Sequence, residues 1–338
     1  MRPESRANAF ASTLGLLGLL VVTFAADAAG SYLSVVSEND LYVDGRDRHY
    51  TAGTQLTYGF AEGQAPDWLS WIAALSPLDR GVEAREVNLA IGQVITTPED
   101  LSLASPPLDD RRYGGWLFGL LSATTHAPGM EDEVGIALGM LGPASLAEDA
   151  HKFLHDITPS IEPQGWDTQL DDEPALLVQL RRSWFVPVKP DDVWRGDLVP
   201  RLQLMLGNVL TEVDAGLGWR FGSAVYERDQ PTRLLIGGTT AAPRFDVRPG
   251  RIDWMFRADV TGRAVFHNVF IDGSLFEQDF RDLESKTLTW DASAGMFITF
   301  GNLPRPAALS FTYTWRAREF EEQRGINRFG AINLAVQF

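Results

Sequence analysis

The chain has 338 residues, no cysteine and a formal charge of −16, which excludes a disulfide framework, a thiolate metal site and a thiol nucleophile. That acidity also argues against a nucleic-acid partner, whose phosphates require clustered Lys and Arg. Hydrophobic residues reach 45% and tryptophans number ten, yet past the N-terminus no apolar run is long enough for a membrane helix, so a β-sandwich and a membrane β-barrel both remain open.

Residues 1–28 have the layout of a secretory signal peptide. Arg2 and Arg6 form a basic start, Leu14 to Phe24 an apolar core, and Ala26-Asp27-Ala28 a small-x-small cleavage site. The run is short for a membrane anchor, which is the alternative. An exported mature chain is expected, with 29–338 as one domain.

Strand candidates then follow at regular intervals, bounded by Gly, Pro, Asn and Asp. They are Ser31–Asn39, Thr51–Phe60, Glu86–Thr96, Gly114–Thr125 and Glu133–Leu141, then Ala175–Val188, Leu198–Leu210 and Val213–Gly222. Asp253–Phe266, Val269–Phe276, Thr287–Phe300, Leu309–Arg318 and Phe329–Phe338 complete the set. Most alternate large apolar with small or polar residues, the period of a sheet with one apolar face. Leu309, Phe311, Tyr313 and Trp315 share one face; Ser310, Thr312, Thr314 and Arg316 share the other. The last strand places Ile332, Leu334, Val336 and Phe338 on one face, and a terminal Phe closing an alternating strand resembles bacterial outer-membrane barrels. A soluble edge strand would be blunted by charge, Pro or a bulge, whereas barrel closure removes the edge. An all-β, antiparallel transmembrane barrel is therefore expected. Thirteen candidates conflict with the even strand number of single-chain bacterial barrels. Twelve strands are expected, the surplus lying between Leu198 and Phe276. Trp68–Leu75 reads as a short interfacial helix or part of a long turn.

With the N-terminus periplasmic, strand parity sends the first strand out to Glu38-Asn39-Asp40 and the fifth out to the segment 142–156. The segment reads as a short helix in an outer loop, with Ser145 as N-cap and Glu148 at the capping-box position. Leu146, Ala150, Phe153, Leu154 and Ile157 form an apolar face for the wall. His151 and His155 fall four apart on one face. Such a pair, with Glu148 or Asp156, has a zinc-site spacing, but Lys152 stands where helical zinc motifs carry their glutamate. One histidine acting as general base is the functional alternative, and a packed or solvated histidine is the plainer reading of the pattern. Glu38, Asn39 and Asp40, with Asp44, Gly45 and Asp47, offer the hard oxygens calcium prefers, without the EF-hand spacing. By composition alone, a plain polar loop is the better reading of them. Glu162-Pro163-Gln164-Gly165-Trp166-Asp167 reads as a turn presenting an aromatic at the interface. A Gly-x-Ser-x-Gly elbow is absent from the sequence.

Taken in order, Glu38-Asn39-Asp40, Tyr50-Thr51-Ala52-Gly53, Gly142-Pro143 through His155, Gln164-Gly165-Trp166-Asp167 and Gln169-Leu170 resemble the lipid A 3′-O-deacylase family of outer-membrane enzymes. The resemblance spans most of the mature chain. It implies a 12-stranded barrel in the bacterial outer membrane that hydrolyses the 3′-O-linked acyloxyacyl ester of lipid A with calcium, as a monomer. It assigns His155 as the base activating water, Asn39 and Asp40 to the calcium site, Thr51 to the site on the second strand and Glu162 as the nearest match to a site glutamate. His151 becomes a neighbour of the site. Arg111, Arg112, Lys152, Arg181 and Arg182 are the candidate cations for anionic lipopolysaccharide at the outer end. An outer-membrane phospholipase and a non-enzymatic channel or structural barrel are the rival readings.

Overall fold

The computed structural model describes residues 30–43, 48–77, 84–157, 162–189, 195–223, 225, 247–276 and 283–338. The expected signal peptide and Asp44, Gly45 and Asp47 lie outside them.

Alternation along the chain is met by a single antiparallel sheet closed on itself. Its strands are β1 (Tyr32–Asn39), β2 (His49–Gly59), β3 (Ala84–Thr97), β4 (Gly114–Ala127), β5 (Met130–Leu141), β6 (Glu173–Trp184) and β7 (Val186–Lys189). They continue as β8 (Arg195–Gly207), β9 (Leu210–Gly222), β10 (Ile252–Asn268), β11 (Leu288–Phe300), β12 (Ala307–Arg316) and β13 (Asn327–Gln337). Consecutive strands pair in sequence, β1 closes on β13, and β6 closes on β8. The short β7 continues β6 past Phe185 and pairs with the same β8, so the thirteen segments make twelve staves. The surplus strand candidate is Val269–Phe276: Asn268 caps a single helical turn there, Val269–Asp272, by accepting from the Phe270 N–H.

The seam places both described chain ends together. Gly30 N–H donates to the Phe338 carbonyl and Phe338 N–H to the Ser31 carbonyl, each at 2.9 Å. With the N-terminus periplasmic, as the sequence leads one to expect, this is the periplasmic end. Outward positions are apolar and open, among them Val35, Leu138, Leu202, Leu217, Leu309 and Leu334, whereas Ser310, Thr312, Thr314 and Arg316 are buried inward. That is the pattern of a wall with lipid outside and a polar interior.

The lumen is filled unequally. On the β1–β6 side an apolar cluster holds Tyr50, Trp116, Phe118, Leu177 and Phe329, and Val269 and Phe270 cross the mouth to join it. On the β8–β12 side buried guanidinium–carboxylate pairs line the wall, including Arg201–Asp259 at 2.6 Å, Arg263–Glu212 at 2.6 Å and Arg316–Asp291 at 2.8 Å.

Two short helical segments pack on the outside of the wall. Trp116 points into the luminal cluster, so its strand neighbours Gly115 and, by alternation, Ala123 face outward. At the periplasmic end, α1 (Asp67–Ser70) and the following turn Trp71–Leu75 bury Leu69, Ile72 and Ala73 against Tyr58, Val87, Ala123 and Val134. Trp68 and Trp71 stay exposed, as an interfacial segment requires. At the outer end the helix α2 (Ala147–Ile157) lies over Gly115.

Candidate functional site

The outer helix approaches the wall closely because both surfaces are small. A Cβ on Gly115 would fall 2.1 Å from Ser145 Oγ and 2.2 Å from Ala147 Cβ. Ala147 and Ala150 pack with Ala52 of β2, Ile95 of β3, and Leu101, Tyr113 and Trp166 from the loops. Gln93 of β3 donates through Nε2 to the Ser145 carbonyl at 2.7 Å, pinning the entry to the helix. The expected N-cap shifts by one residue: Leu146 takes a left-handed conformation, φ 58°, between Ser145 and the first helical residue. Ser145 instead donates to the Gly142 carbonyl at 2.6 Å, and Glu148 pairs with Lys152 at 2.8 Å rather than closing a capping box. Gly142 is required by its own turn, with φ 72° and the Asp171 carbonyl where a Cβ would stand.

The buried face of the helix also differs from the expected one. Ala147, Ala150, His151 and His155 are buried, whereas Phe153 is 57% exposed. Small residues and imidazoles meet the wall, and the large apolar residue of that face points away. The two histidine rings stand edge to face, 4.4 Å between centroids. Trp166 Nε1–H donates to His151 Nδ1 at 3.2 Å, which makes that nitrogen an acceptor and leaves the proton of a neutral ring on Nε2. Trp166 is held in turn against Tyr113, 4.9 Å between centroids. The Gly165-Trp166 turn thus orients the neighbour of His155, a partnership that spacing alone did not reveal.

The first outer loop reaches the same patch through the β1–β2 ladder. Asn39 lies directly opposite Ala52, the residue packed beneath the helix. Its side chain caps the turn Asp40–Tyr42 by accepting from Leu41 N–H at 2.7 Å. Asp40 is buried and accepts from the Arg48 N–H at 2.7 Å. Thr51 is the extra residue of a β-bulge between Tyr50 and Ala52, and its hydroxyl shares a 2.6 Å hydrogen bond with Thr97. Such bulges re-aim side chains at strand ends. Beside it His49 adopts φ 63° and packs its buried ring edge-on against Phe320. Tyr50 donates to Glu38 within the lumen.

Ala52, packed beneath the helix that carries His151 and His155, has Thr51 beside it in the chain and Asn39 opposite it in the ladder, with Asp40 following Asn39, so these residues lie in one region at the outer end. Glu162 does not join them by any described contact. It is exposed, and its influence is electrostatic: the Glu148 carboxylate bonded to Lys152 holds that ammonium above the ordinary lysine range, with Glu162 and Asp167 adding to it.

The candidate cations fall into two groups. Arg181 and Arg182 are corrected to the periplasmic end, where they pair with Glu133 and Asp132 near the start of β5, because β6 descends from Glu173. Arg111 is at the outer end but buried against Glu319 at 3.1 Å. Burial would raise the Glu319 carboxyl, yet Arg111, Arg316 and Arg263 outweigh it and hold it below the ordinary range.

Among the described residues, no three His, Cys, Asp or Glu side chains converge as metal ligands. The oxygens at the first loop are a carboxylate, an amide and a hydroxyl with neighbouring carbonyls, a hard-oxygen set that fits calcium. Among the described residues the His pair has no third ligand of the kind zinc requires.

A family model described as "Outer membrane protein LpxR" matches residues 10–338. The solved structure of LpxR from Salmonella typhimurium is similar with a TM-score of 0.73 at 17% identity, covering 91% of this chain and 100% of that one. The β domain of the Bordetella autotransporter BrkA gives a TM-score of 0.44 at 13% identity, over 92% and 100% of the two chains. No curated protein matches by sequence.

Proposed function

Since the chain belongs to the LpxR family of outer-membrane proteins, we propose that it is a lipid A deacylase of the bacterial outer membrane, hydrolysing the 3′-O-linked acyloxyacyl ester with calcium. The observation that carries this reading is the position of His155. It is buried on the wall-side face of a helix that clasps the outside of the barrel at its outer end. A base placed there meets a lipid of the outer leaflet laterally. The substrate has no need to enter a lumen filled by aromatic packing and ion pairs.

The residues account for the chemistry without a protein nucleophile. His155 takes a proton from water, whose oxygen attacks the ester carbonyl. As the tetrahedral intermediate collapses, the bond to the sugar oxygen breaks and the imidazolium returns the proton to that oxygen. Asn39 and Asp40 would hold calcium, which when bound supplies positive charge beside the ester carbonyl. Thr51, turned by its bulge, presents a hydroxyl to the same patch. Lys152 is a cation on the helix itself, and Glu148 fixes its place.

Mass spectrometry of lipid A from cells expressing the wild type and His155→Ala tests the proposal. Loss of the 3′ acyloxyacyl mass only with the wild type is expected. Identical lipid A in both strains overturns it, and acyl loss confined to phospholipids would assign a phospholipase instead.

A further inference from the structure

Across the barrel mouth from the outer helix, a cavity of about 170 Å³ opens between the outer ends of β10 and β11 and the loop after β12. The polar part of its lining comes from Asp272, Lys286, Thr289 and Glu319, and Phe266 and Ile271 give it an apolar wall. The described charges are compensated in place. Glu319 pairs with Arg111 at 3.1 Å, and Lys286 pairs with Glu321. Asp272 accepts the Asn268 backbone N–H at 2.7 Å and the Ser285 hydroxyl, with His267 at 3.8 Å.

That compensation restricts the ligand. A phosphate wants cations not already neutralised, and a divalent ion wants carboxylates not already committed to hydrogen bonds and guanidinium. What the cavity offers is carboxylate oxygens with further lone pairs, an ammonium, a hydroxyl and an apolar wall. This set suits a neutral polyhydroxylated ring, its hydroxyls on the polar rim and its CH face on Phe266. The volume is well below the roughly 300–1,000 Å³ of pockets for drug-sized ligands, so it accommodates a single ring. The position, at the end of the wall away from both described chain ends, is the side expected to bear glycan. We infer that this cavity is a binding site for one neutral hexose unit of a cell-surface glycan, separate from the ester-cleaving patch.

Saturation-transfer NMR on the full barrel in a non-glycosidic detergent tests it, with methyl glucoside, methyl galactoside and the deacylated oligosaccharide of lipopolysaccharide as probes. Transfer to ring protons is expected for at least one hexoside. Loss of a hydrogen bond to a charged group should weaken binding about tenfold in Lys286→Ala. Thr287→Phe, at the cavity edge, should abolish it. Tighter binding of the oligosaccharide than of the hexosides would name lipopolysaccharide as the source, and the reverse a free sugar. Equal signals in wild type and both variants would overturn the assignment, as would inorganic phosphate or calcium giving the larger thermal shift lost in those variants. Lipid A turnover in both variants should match wild type, so a failure here is distinguishable from a failure of the deacylase reading.

Discussion

Substituting Gly115 by alanine tests whether the helix-to-wall distance controls the activity. The added Cβ would lie 2.1 Å from Ser145 Oγ and 2.2 Å from Ala147 Cβ, whereas carbon atoms in contact sit about 3.5–4 Å apart. The helix must lift by about 1.5 Å to restore ordinary contact. Overpacking of this kind costs about 1–3 kcal/mol. The ladder is not touched, since Gly115 keeps its backbone pairing with Ile95 of β3. His155 rides on the displaced helix, and a misplacement of about 1 Å at a reacting group lowers rate about a hundredfold. Gly115→Ala should therefore assemble as a barrel, read by heat-modifiable gel migration, while lipid A deacylation measured by mass spectrometry falls about a hundredfold. Adding Ala147→Gly removes one of the two collisions and should restore part of the rate. A Gly115→Ala barrel that deacylates at the wild-type rate would refute the reasoning.

Trp166→Phe leaves the buried His151 Nδ1 without its indole donor, at a cost of about 1–3 kcal/mol; reduced turnover in an assembled barrel is expected, and unchanged turnover would detach Trp166 from the site. Chelation should abolish turnover and added calcium restore it, with Asp40→Asn requiring more calcium; a titration of rate against free calcium measures this. Arg111→Ala removes the nearest cation from the buried Glu319 carboxylate and leaves it Arg316 at 3.9 Å, so the cost should fall below the roughly 3–5 kcal/mol of a pair broken outright, visible as a lower thermal midpoint. Glu319 has a lowered folded pKa, so its contribution is present above the ordinary glutamate value, about 4.3, and fades as pH falls through the lower folded value. Glu319→Gln should lack that share of the acid-side loss when the two proteins are melted from pH 7 down to pH 3.

Much of the wall was legible because its signal is periodic. The inward row of β12, Ser310 to Arg316, follows from alternation alone, and the surplus strand lay within the stretch between Leu198 and Phe276. What alternation cannot distinguish is a short apolar run in a strand from one turn of helix, so Val269–Phe276 read as a strand although Asn268 caps a helical turn there. That a short helix follows β5 was legible, but neither its cap nor its orientation was. Phe153 and Leu154 look like the wall-facing positions until Gly115 leaves room for only Ala147 and Ala150. Arg181 and Arg182 were misplaced because clustered charge suggests a partner, whereas their register against Glu133 and Asp132 lies near the start of β5, at the periplasmic end. The Thr51 bulge and the Trp166–His151 bond depend on ladder register and loop closure, which leave no local pattern.

The filled lumen and the exterior site belong to one design. Buried ion pairs such as Arg263–Glu212 and Arg316–Asp291 contribute little net stability, because desolvation offsets their attraction. What they do is place paired charge along the inner face of the wall, and Phe270 reaches far enough across the mouth to meet Gly114 of β4. An enzyme whose chemistry lies outside the wall needs a closed cylinder that fixes the distance between β2, β3 and β4 and the helix above them. Substitutions on the two sides should therefore separate. Asp291→Asn would lower barrel stability with little effect on per-molecule turnover, whereas Gly115→Ala would lower per-molecule turnover in barrels that still assemble.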